Sequence, residues 1–209
     1  MGVRKQTLEL ATNKPLASLA LHALMGSCLK SVMVVVNPED PLDWLRADEG
    51  GASGVVVSSK ASSIYVEACT DASHGMGHSI RHGLRALMSI EAELDAVVVA
   101  LADQPFITSC MINELIYYWL EKPQLDYVAT AVHDARDGAV VLMPPAILSS
   151  SMFEDLLQLE GEAGARKWFG SPRFKGYGLL AVDGAALIDV DTPEDYEHAK
   201  NHFLNSLPK

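Results

Sequence analysis

Cysteine is scarce. Cys28, Cys69 and Cys110 are the only three in 209 residues. An odd, widely spaced set gives no disulfide framework and no zinc pattern, so the sequence predicts a reducing, cytoplasmic setting. Cations are few as well. Lys and Arg number 16 against 27 Asp and Glu, a formal net charge of −11. That balance argues against a broad basic face for nucleic acid. Long hydrophobic runs are missing too. The longest, such as Ala96 to Ala102, are strand-sized and fall short of the ~18 apolar residues of a membrane helix. The opening MGVRKQ brings charge at once and has no apolar signal core. Gln6 stands where a myristoylation signal wants Ser or Thr. A P-loop, a serine nucleophile elbow and a complete dinucleotide fingerprint are all missing.

What is there is globular composition, 49% hydrophobic and 21% charged. The length suits one domain, 1–209, with a core that needs no staples. Short β-rich runs alternate with helical ones. Leu16, Leu19, Ala20, Ala23 and Leu24 carry helical spacing over Pro15 to Leu29. Ser31 to Val36 (SVMVVV) and Asp95 to Ala102 (DAVVVALA) are continuous apolar runs, the pattern of strands buried on both faces. Between them the sequence predicts a short helix over Pro41 to Ala47. Breakers follow at Glu49 to Ser53, then extended runs at Gly54 to Val57 and Ile64 to Ala68, then a helix from about His78 to Ile90. Thr108 or Ser109 caps a helix running to about Glu121. Strands are predicted over Tyr127 to Val132, Ala139 to Met143, Leu179 to Val182 and Ala186 to Val190. Helices are predicted over Phe153 to Leu159 and after Gly164. Thr192 and Pro193 open the last helix, which frays from Asn205. The alternation means an α/β fold with a mostly parallel sheet.

Open α/β sheets carry their sites at the carboxyl ends of strands. That rule selects Asp103, after DAVVVALA, and Asp191, after ALIDV. Two such carboxylates can share one Mg2+ ion, which takes a few protein oxygens and keeps its waters. Asp103 alone reads equally well as a cap after a strand. Asp189 points to the same side as Asp191 and is read as a solvated strand residue rather than a ligand. In Ser73-His74-Gly75-Met76-Gly77-His78-Ser79, glycines admit a ligand close to the backbone, and the helix start offers free N–H groups. His74, His78 and His82 share a helical spacing, but Gly75 and Gly77 favour a polar helix face over a metal site. Arg4, Lys5 and Arg166 are candidate phosphate contacts or plain surface charge.

In order, these motifs resemble the MobA-like NTP transferases, and within them the molybdenum cofactor cytidylyltransferase branch. MGVRKQTLEL is similar to the end of the family's N-terminal signature, with Lys5 at the signature lysine. HGMGHSIRHGL looks like its Gly-Met-x-x-Ser-x-Arg-x-Gly-Leu segment. ALADQPFIT matches its Asp-Gln-Pro motif and IDVDTPEDY its closing Asp-Ile-Asp-Thr-Pro-Glu-Asp motif. GEAGARKWF fits a weaker Gly-x-x-Gly-Ala-Arg segment. The resemblance implies a three-layer, Rossmann-like nucleotidyltransferase fold with a mostly parallel mixed sheet. The family's first strand and its glycine-rich triphosphate loop precede the Met-Gly pair, so the fold is expected without its first strand. The family's Gly-Asn-Pro or Gly-His-Pro is replaced by Gly138-Ala139-Val140, at the segment concerned with the acceptor.

By the same resemblance, Asp103 and Asp191 hold Mg2+ and Lys5 contacts phosphates. Gly75, Met76, Gly77 and Ser79 lie near the nucleotide. The catalytic pair is Lys5 and Asp103. The implied reaction moves CMP from CTP onto a phosphorylated molybdopterin-type cofactor, with a molybdoenzyme or its maturation factor as a further partner. Two alternatives stand beside it. One is a non-catalytic relative that binds the cofactor or serves maturation. The other is an oxidoreductase on the same fold.

Overall fold

The computed structural model describes residues 5–46, 62–134, 138–182 and 184–206. Glu9–Ala11 (β1) and Lys14–Pro15 (β2) form a small antiparallel ladder. Helix α1 (Leu16–Met25) follows, then β3 (Ser31–Val36) and the short α2 (Asp43–Arg46). β4 (Ser63–Ala68) pairs with β3 in parallel. Helix α3 spans Met76–Ile90, β5 Ala96–Val99 and α4 Ser109–Glu121. β6 (Tyr127–His133), β7 (Val140–Ser149), the short α5 (Phe153–Leu156), β8 (Gly176–Leu180) and α6 (Pro193–Ser206) complete the chain.

The described strands form a two-stranded ladder, β3-β4, and a four-stranded sheet ordered β5-β7-β6-β8. β7 is antiparallel to both β5 and β6, and β8 is parallel to β6. β5, β6 and β8 therefore run one way and β7 runs against them. Alternation along the strands sorts the helices into two layers. Val98 packs with Ala20, Ala23 and Ile112 of α1 and α4. Val97 and Val99 pack with Leu84 and Leu156 of α3 and α5. On β3, Val32 and Val34 face α1 beside Ala17 and Leu21. Val35 faces α3 at Gly83, where an added Cβ would stand 2.7 Å from the Val35 side chain. The architecture is the expected three-layer α/β sandwich with a mixed sheet.

Two local features follow directly from side-chain chemistry. The Thr108 hydroxyl accepts from the Met111 N–H at 3.2 Å and starts α4, as a cap should. Pro144 and Pro145 bring no N–H to the ladder. The β6 register skips them, pairing Ala129 with Ala146 and Thr130 with Met143. The Thr130 hydroxyl donates to the Pro145 carbonyl at 2.7 Å.

Several expectations change. Ala186 to Val190 forms no strand. A 3-10 turn covers Gly184–Leu187 and the chain then runs irregularly to Asp191. Leu187 and Val190 are buried there, in two different clusters, so apolar content reflected burial and not a ladder. α5 is only four residues long, flanked by a 3-10 turn over Ser150–Met152. α3 begins at Met76, earlier than expected, because Gly75 with φ +120° turns the chain just before it. The expected breakers at Glu49 to Ser53 and the extended run at Gly54 to Val57 lie outside the described residues. No helix among the described residues is long and apolar enough to cross a membrane.

Candidate active site at the Asp103 and Asp191 loops

β5 ends at Val99, and the chain turns through Ala100–Ala102 to reach Asp103. The Asp103 carbonyl accepts the Val190 N–H at 3.0 Å. This one backbone bond ties the loop after β5 to the loop before α6. It sets Asp189 and Asp191 on either side of the tie.

Two devices hold Asp191. The first is a reciprocal cap on α6. The Asp195 N–H donates to the Thr192 hydroxyl at 3.1 Å, and the Thr192 N–H donates to Asp195 Oδ2 at 2.8 Å, the logic of a capping box. The Asp191 N–H also reaches Asp195 Oδ2, at 3.2 Å. The second device is the amino-terminal segment. Leu10 and Leu16 share a core with Val190 and Ala199, and the Tyr196 hydroxyl donates to the Glu9 carbonyl at 2.6 Å. Docking β1 against α6 in this way brings Lys5 to Asp191, with Nζ 2.5 Å from Oδ1.

The carboxylates crowd one another. Burial, then the neighbouring Asp189 and Asp191 carboxylates, raise the Asp103 pKa above its ordinary value, while Lys5 pulls it down. Burial, then Asp191 and Asp195, raise Asp189, opposed by the Gln104 amide and by Arg166. Fully buried Gln104 makes no well-formed hydrogen bond through either amide atom, and neither does Asp189 Oδ1. Buried polar atoms left without partners are costly and normally find one. Here the Gln104 amide lies beside Asp189, whose charged form it favours against burial and the neighbouring carboxylates.

Lys5, Asp103 and Asp191 thus come together as expected. Asp189 belongs with them, which corrects its reading as a solvated residue. Sequence reasoning gave Gln104 no role, although it lies inside the quoted Asp-Gln-Pro motif. A polar side chain between Asp103 and Pro105 in an apolar stretch was the available signal. Arg166 also falls within electrostatic reach of the cluster. Gly75, Met76 and Gly77 form the start of α3. The Gly77 N–H is taken by the Gly161 carbonyl at 2.9 Å, and Gly75 packs directly on Gly161. Met76 and Ser79 line the apolar cavity between α3, β3 and β5. The His74 and His78 rings meet edge to face with centroids 5.7 Å apart, while His74 is also near Asp71 and His82 near Glu67, each at 3.8 Å.

The donor set suits a hard divalent cation. It offers carboxylate oxygens and a buried amide, with a lysine alongside. No group of three or more His, Cys, Asp or Glu among the described residues gathers into a closed cage. An ion held by one or two carboxylates, waters and substrate phosphates needs no such cage, and Mg2+ binds in that manner.

The fold is one that nucleotidyltransferases share. Residues 1–175 match the MobA-like NTP transferase domain, and the chain belongs to that family. The purine catabolism protein PucB of Bacillus subtilis is 33% identical over 199 residues, covering 94% of this chain and 88% of PucB. Among solved structures, Rv0371c of Mycobacterium tuberculosis in complex with manganese superposes with a TM-score of 0.67 at 21% identity, over 96% of this chain and 93% of that one. The 4-diphosphocytidyl-2C-methyl-D-erythritol synthase of Anaerococcus prevotii superposes with a TM-score of 0.66 at 16% identity, over 91% and 86%. Those two likenesses concern the fold.

Proposed function

We propose that the single domain, 1–209, transfers a nucleoside monophosphate, CMP from CTP, to a phosphorylated molybdopterin-type cofactor in the cytoplasm. An acceptor phosphate oxygen forms a bond to the α-phosphorus of CTP. The bond from that phosphorus to the bridging oxygen breaks, and pyrophosphate leaves with the electron pair. The reaction needs alignment and charge neutralisation more than covalent help from the protein. The observation that carries this reading is the meeting of Lys5, Asp103, Asp189 and Asp191 at one loop cluster.

Asp103, with Asp191 or Asp189, would hold Mg2+, which supplies charge stabilisation on phosphate oxygens. Lys5 would leave Asp191 in part and place its ammonium on the phosphates as a compact point charge. Asp191, held by the α6 cap, would keep Lys5 aimed while the site is empty. Gln104 would orient the Asp189 carboxylate. The cytidylyl preference rests on the family branch and is supported by the fold likeness to a diphosphocytidyl synthase.

A second reading has a specific support. The 33% identical relative is named for purine catabolism and not for nucleotide transfer. On that reading the chain binds a cofactor or serves the maturation of a molybdoenzyme. A thermal-shift panel with CTP, GTP, ATP and UTP, each with magnesium and with EDTA, separates the two. A ligand at 100 times its dissociation constant adds about 2.7 kcal/mol. A magnesium-dependent shift for CTP alone supports transfer. No shift with any nucleotide refutes it.

A further inference from the structure

β8 is the last strand of its sheet. Among the described residues it pairs only with β6, and its other edge meets no strand. The ladder fixes which backbone groups face outward. The Lys175 carbonyl accepts the Asp126 N–H, and the Ala181 N–H donates to the Ala131 carbonyl, so the odd-numbered residues turn their polar backbone to β6. Gly176, Gly178 and Leu180 therefore turn theirs to the open edge. Side chains alternate as well. Tyr177 stacks on Tyr118 of α4 with centroids 4.6 Å apart, and Leu179 packs in the same layer. Gly176, Gly178 and Leu180 belong to the opposite face. The edge is apolar and open to solvent: Tyr177 is 45% exposed, Leu180 54% and Val182 98%. Folded proteins ordinarily cover or blunt an edge of this kind.

The edge is complementary to itself. Two copies related by a twofold axis through Gly178 pair antiparallel, with Gly178 opposite Gly178 and Gly176 opposite Leu180. All of these residues face outward, so each pair exchanges an N–H and a carbonyl in both directions. On one face, Leu180 of one copy covers Gly176 of the other, which brings no side chain to the pair. On the α4 face, Tyr177 meets Leu179, a favourable cross-strand contact. The next position sets Lys175 opposite Ala181. Lys175 is exposed, and Glu114 lines the hollow beside Leu179, Leu180, Ala181 and Val182. The cation at the start of one strand thus comes to the carboxylate beside the end of the other, and symmetry repeats the pair. A register shifted by one residue would oppose outward groups to groups that β6 already holds.

We propose that the partner of this edge is a second copy of the chain. The β8 strands pair antiparallel about Gly178 and give one continuous sheet, β5-β7-β6-β8-β8-β6-β7-β5. The interface is isologous and closes on itself, so assembly by this edge ends at a dimer. Main-chain pairing supplies the affinity, and the contacts between Lys175 and Glu114 fix the register. The inference rests on the β8 edge and its charges, not on nucleotide transfer.

Sedimentation velocity without nucleotide, from about 1 to 200 μM chain, spans the affinities of a small interface. The expected result is a monomer that becomes a dimer within that range, with no larger species. Amide exchange reads the register. Gly176, Gly178 and Leu180 should slow roughly tenfold between the two concentrations, with Tyr177 and Leu179 unchanged because β6 already holds them. Leu180→Pro deletes one outward N–H and leaves the β6 ladder whole. It should weaken the dimer at least about tenfold, with the far-UV spectrum unchanged. Lys175→Glu should weaken it roughly fivefold, and Lys175→Glu with Glu114→Lys should restore it. The charge swap serves even where Leu180→Pro fails to fold. A chain that stays monomeric at the highest concentration overturns the proposal. So does a dimer whose Gly176, Gly178 and Leu180 amides exchange at the monomer rate, or one that Lys175→Glu leaves equally strong, since a different surface or register then joins the copies. Because no nucleotide is present, failure here leaves the transfer reading standing, and the reverse holds.

Discussion

Lys5 Nζ meets Asp191 Oδ1 at 2.5 Å across 186 positions of sequence. The pair joins the amino-terminal turn to the loop before the last helix, and both side chains keep solvent contact, 33% and 63% exposed. An exposed pair of this kind contributes little to stability, about 0–1 kcal/mol. Asp191→Asn should therefore leave Tm nearly unchanged. It should weaken magnesium-dependent nucleotide binding by roughly tenfold or more, because it removes a phosphate-side carboxylate and the aim of Lys5. Parallel thermal shifts in magnesium and EDTA check this. An unaltered magnesium dependence would count against Asp191.

Asp103 differs because it is partly buried among other carboxylates. Its ionised form is disfavoured in the folded protein, so the charge costs stability where it stands. Asp103→Asn should leave Tm equal or slightly raised and reduce pyrophosphate release on the order of 10² to 10³-fold, the usual loss when one charge-stabilising group is removed. Transfer at the parent rate would show that the reacting phosphates lie elsewhere.

Much of this was legible in the sequence. SVMVVV forms β3 and the Thr108 and Thr192 caps form as their side chains suggest, whereas DAVVVALA is strand only over Ala96–Val99, and nearly all residues of both strands are half-buried rather than buried on both faces. Asp103 was selected as the residue after a strand, and it does lie in the loop after β5; Asp191 was selected as the end of a strand over Ala186 to Val190 that the chain does not build. Asp189 was not legible. Alternation along a presumed strand put it on the side of Asp191, where a ligand and a solvated residue look alike, but no strand forms there, and the half-buried carboxyl lies beside the Gln104 amide. Nor was the close packing of Gly75 on Gly161, since contacts between residues 86 positions apart leave no local pattern.

The raised pKa values of Asp103 and Asp189 set a pH dependence with a definite sign. Above 3.8, the ordinary aspartate value, the unfolded chain has released protons that the folded protein still holds. Stability from these two groups is thus greatest at low pH and declines as pH rises through their folded pKa values. A divalent cation competes for the same oxygens, so its stabilising effect should run oppositely. The Tm difference between magnesium and EDTA should be small near about pH 4 and grow toward about pH 8. Asp103→Asn with Asp189→Asn should flatten that growth. A magnesium effect independent of pH would mean that these carboxylates are not its ligands.

The α6 cap gives a prediction about folding. The Thr192 hydroxyl and N–H hold Asp195 below its ordinary pKa. That support is present above 3.8 and lost as pH falls through the depressed folded value. Thr192→Ala should cost about 1 kcal/mol, a Tm loss of about 2–4 °C near neutral pH for a chain of this size. The loss should shrink in acid, where Asp195 is protonated in both proteins. A deficit that persists unchanged into acid would indicate a role for Thr192 other than this cap.

The start of α3 can be tested against a second positive-φ glycine with open surroundings. Gly75 has φ +120°, and a Cβ there would stand 2.2 Å from the Gly161 carbonyl carbon and 2.4 Å from its oxygen. Gly138 has φ +73°, with nothing within 4 Å of its Cβ position. Gly138→Ala therefore meets backbone strain alone, roughly 1–2 kcal/mol. Gly75→Ala meets strain plus backbone overlap that no side-chain rotation relieves, together about 3 kcal/mol or more. The overlap must push the 161–163 segment from α3, whose Gly77 N–H is held by the Gly161 carbonyl. The expected Tm loss is at least twice as large for Gly75→Ala as for Gly138→Ala, with faster amide exchange at Gly77 in the former. Equal losses, with Gly77 still protected, would show that the packing of the loop on Gly161 does not hold α3 in place.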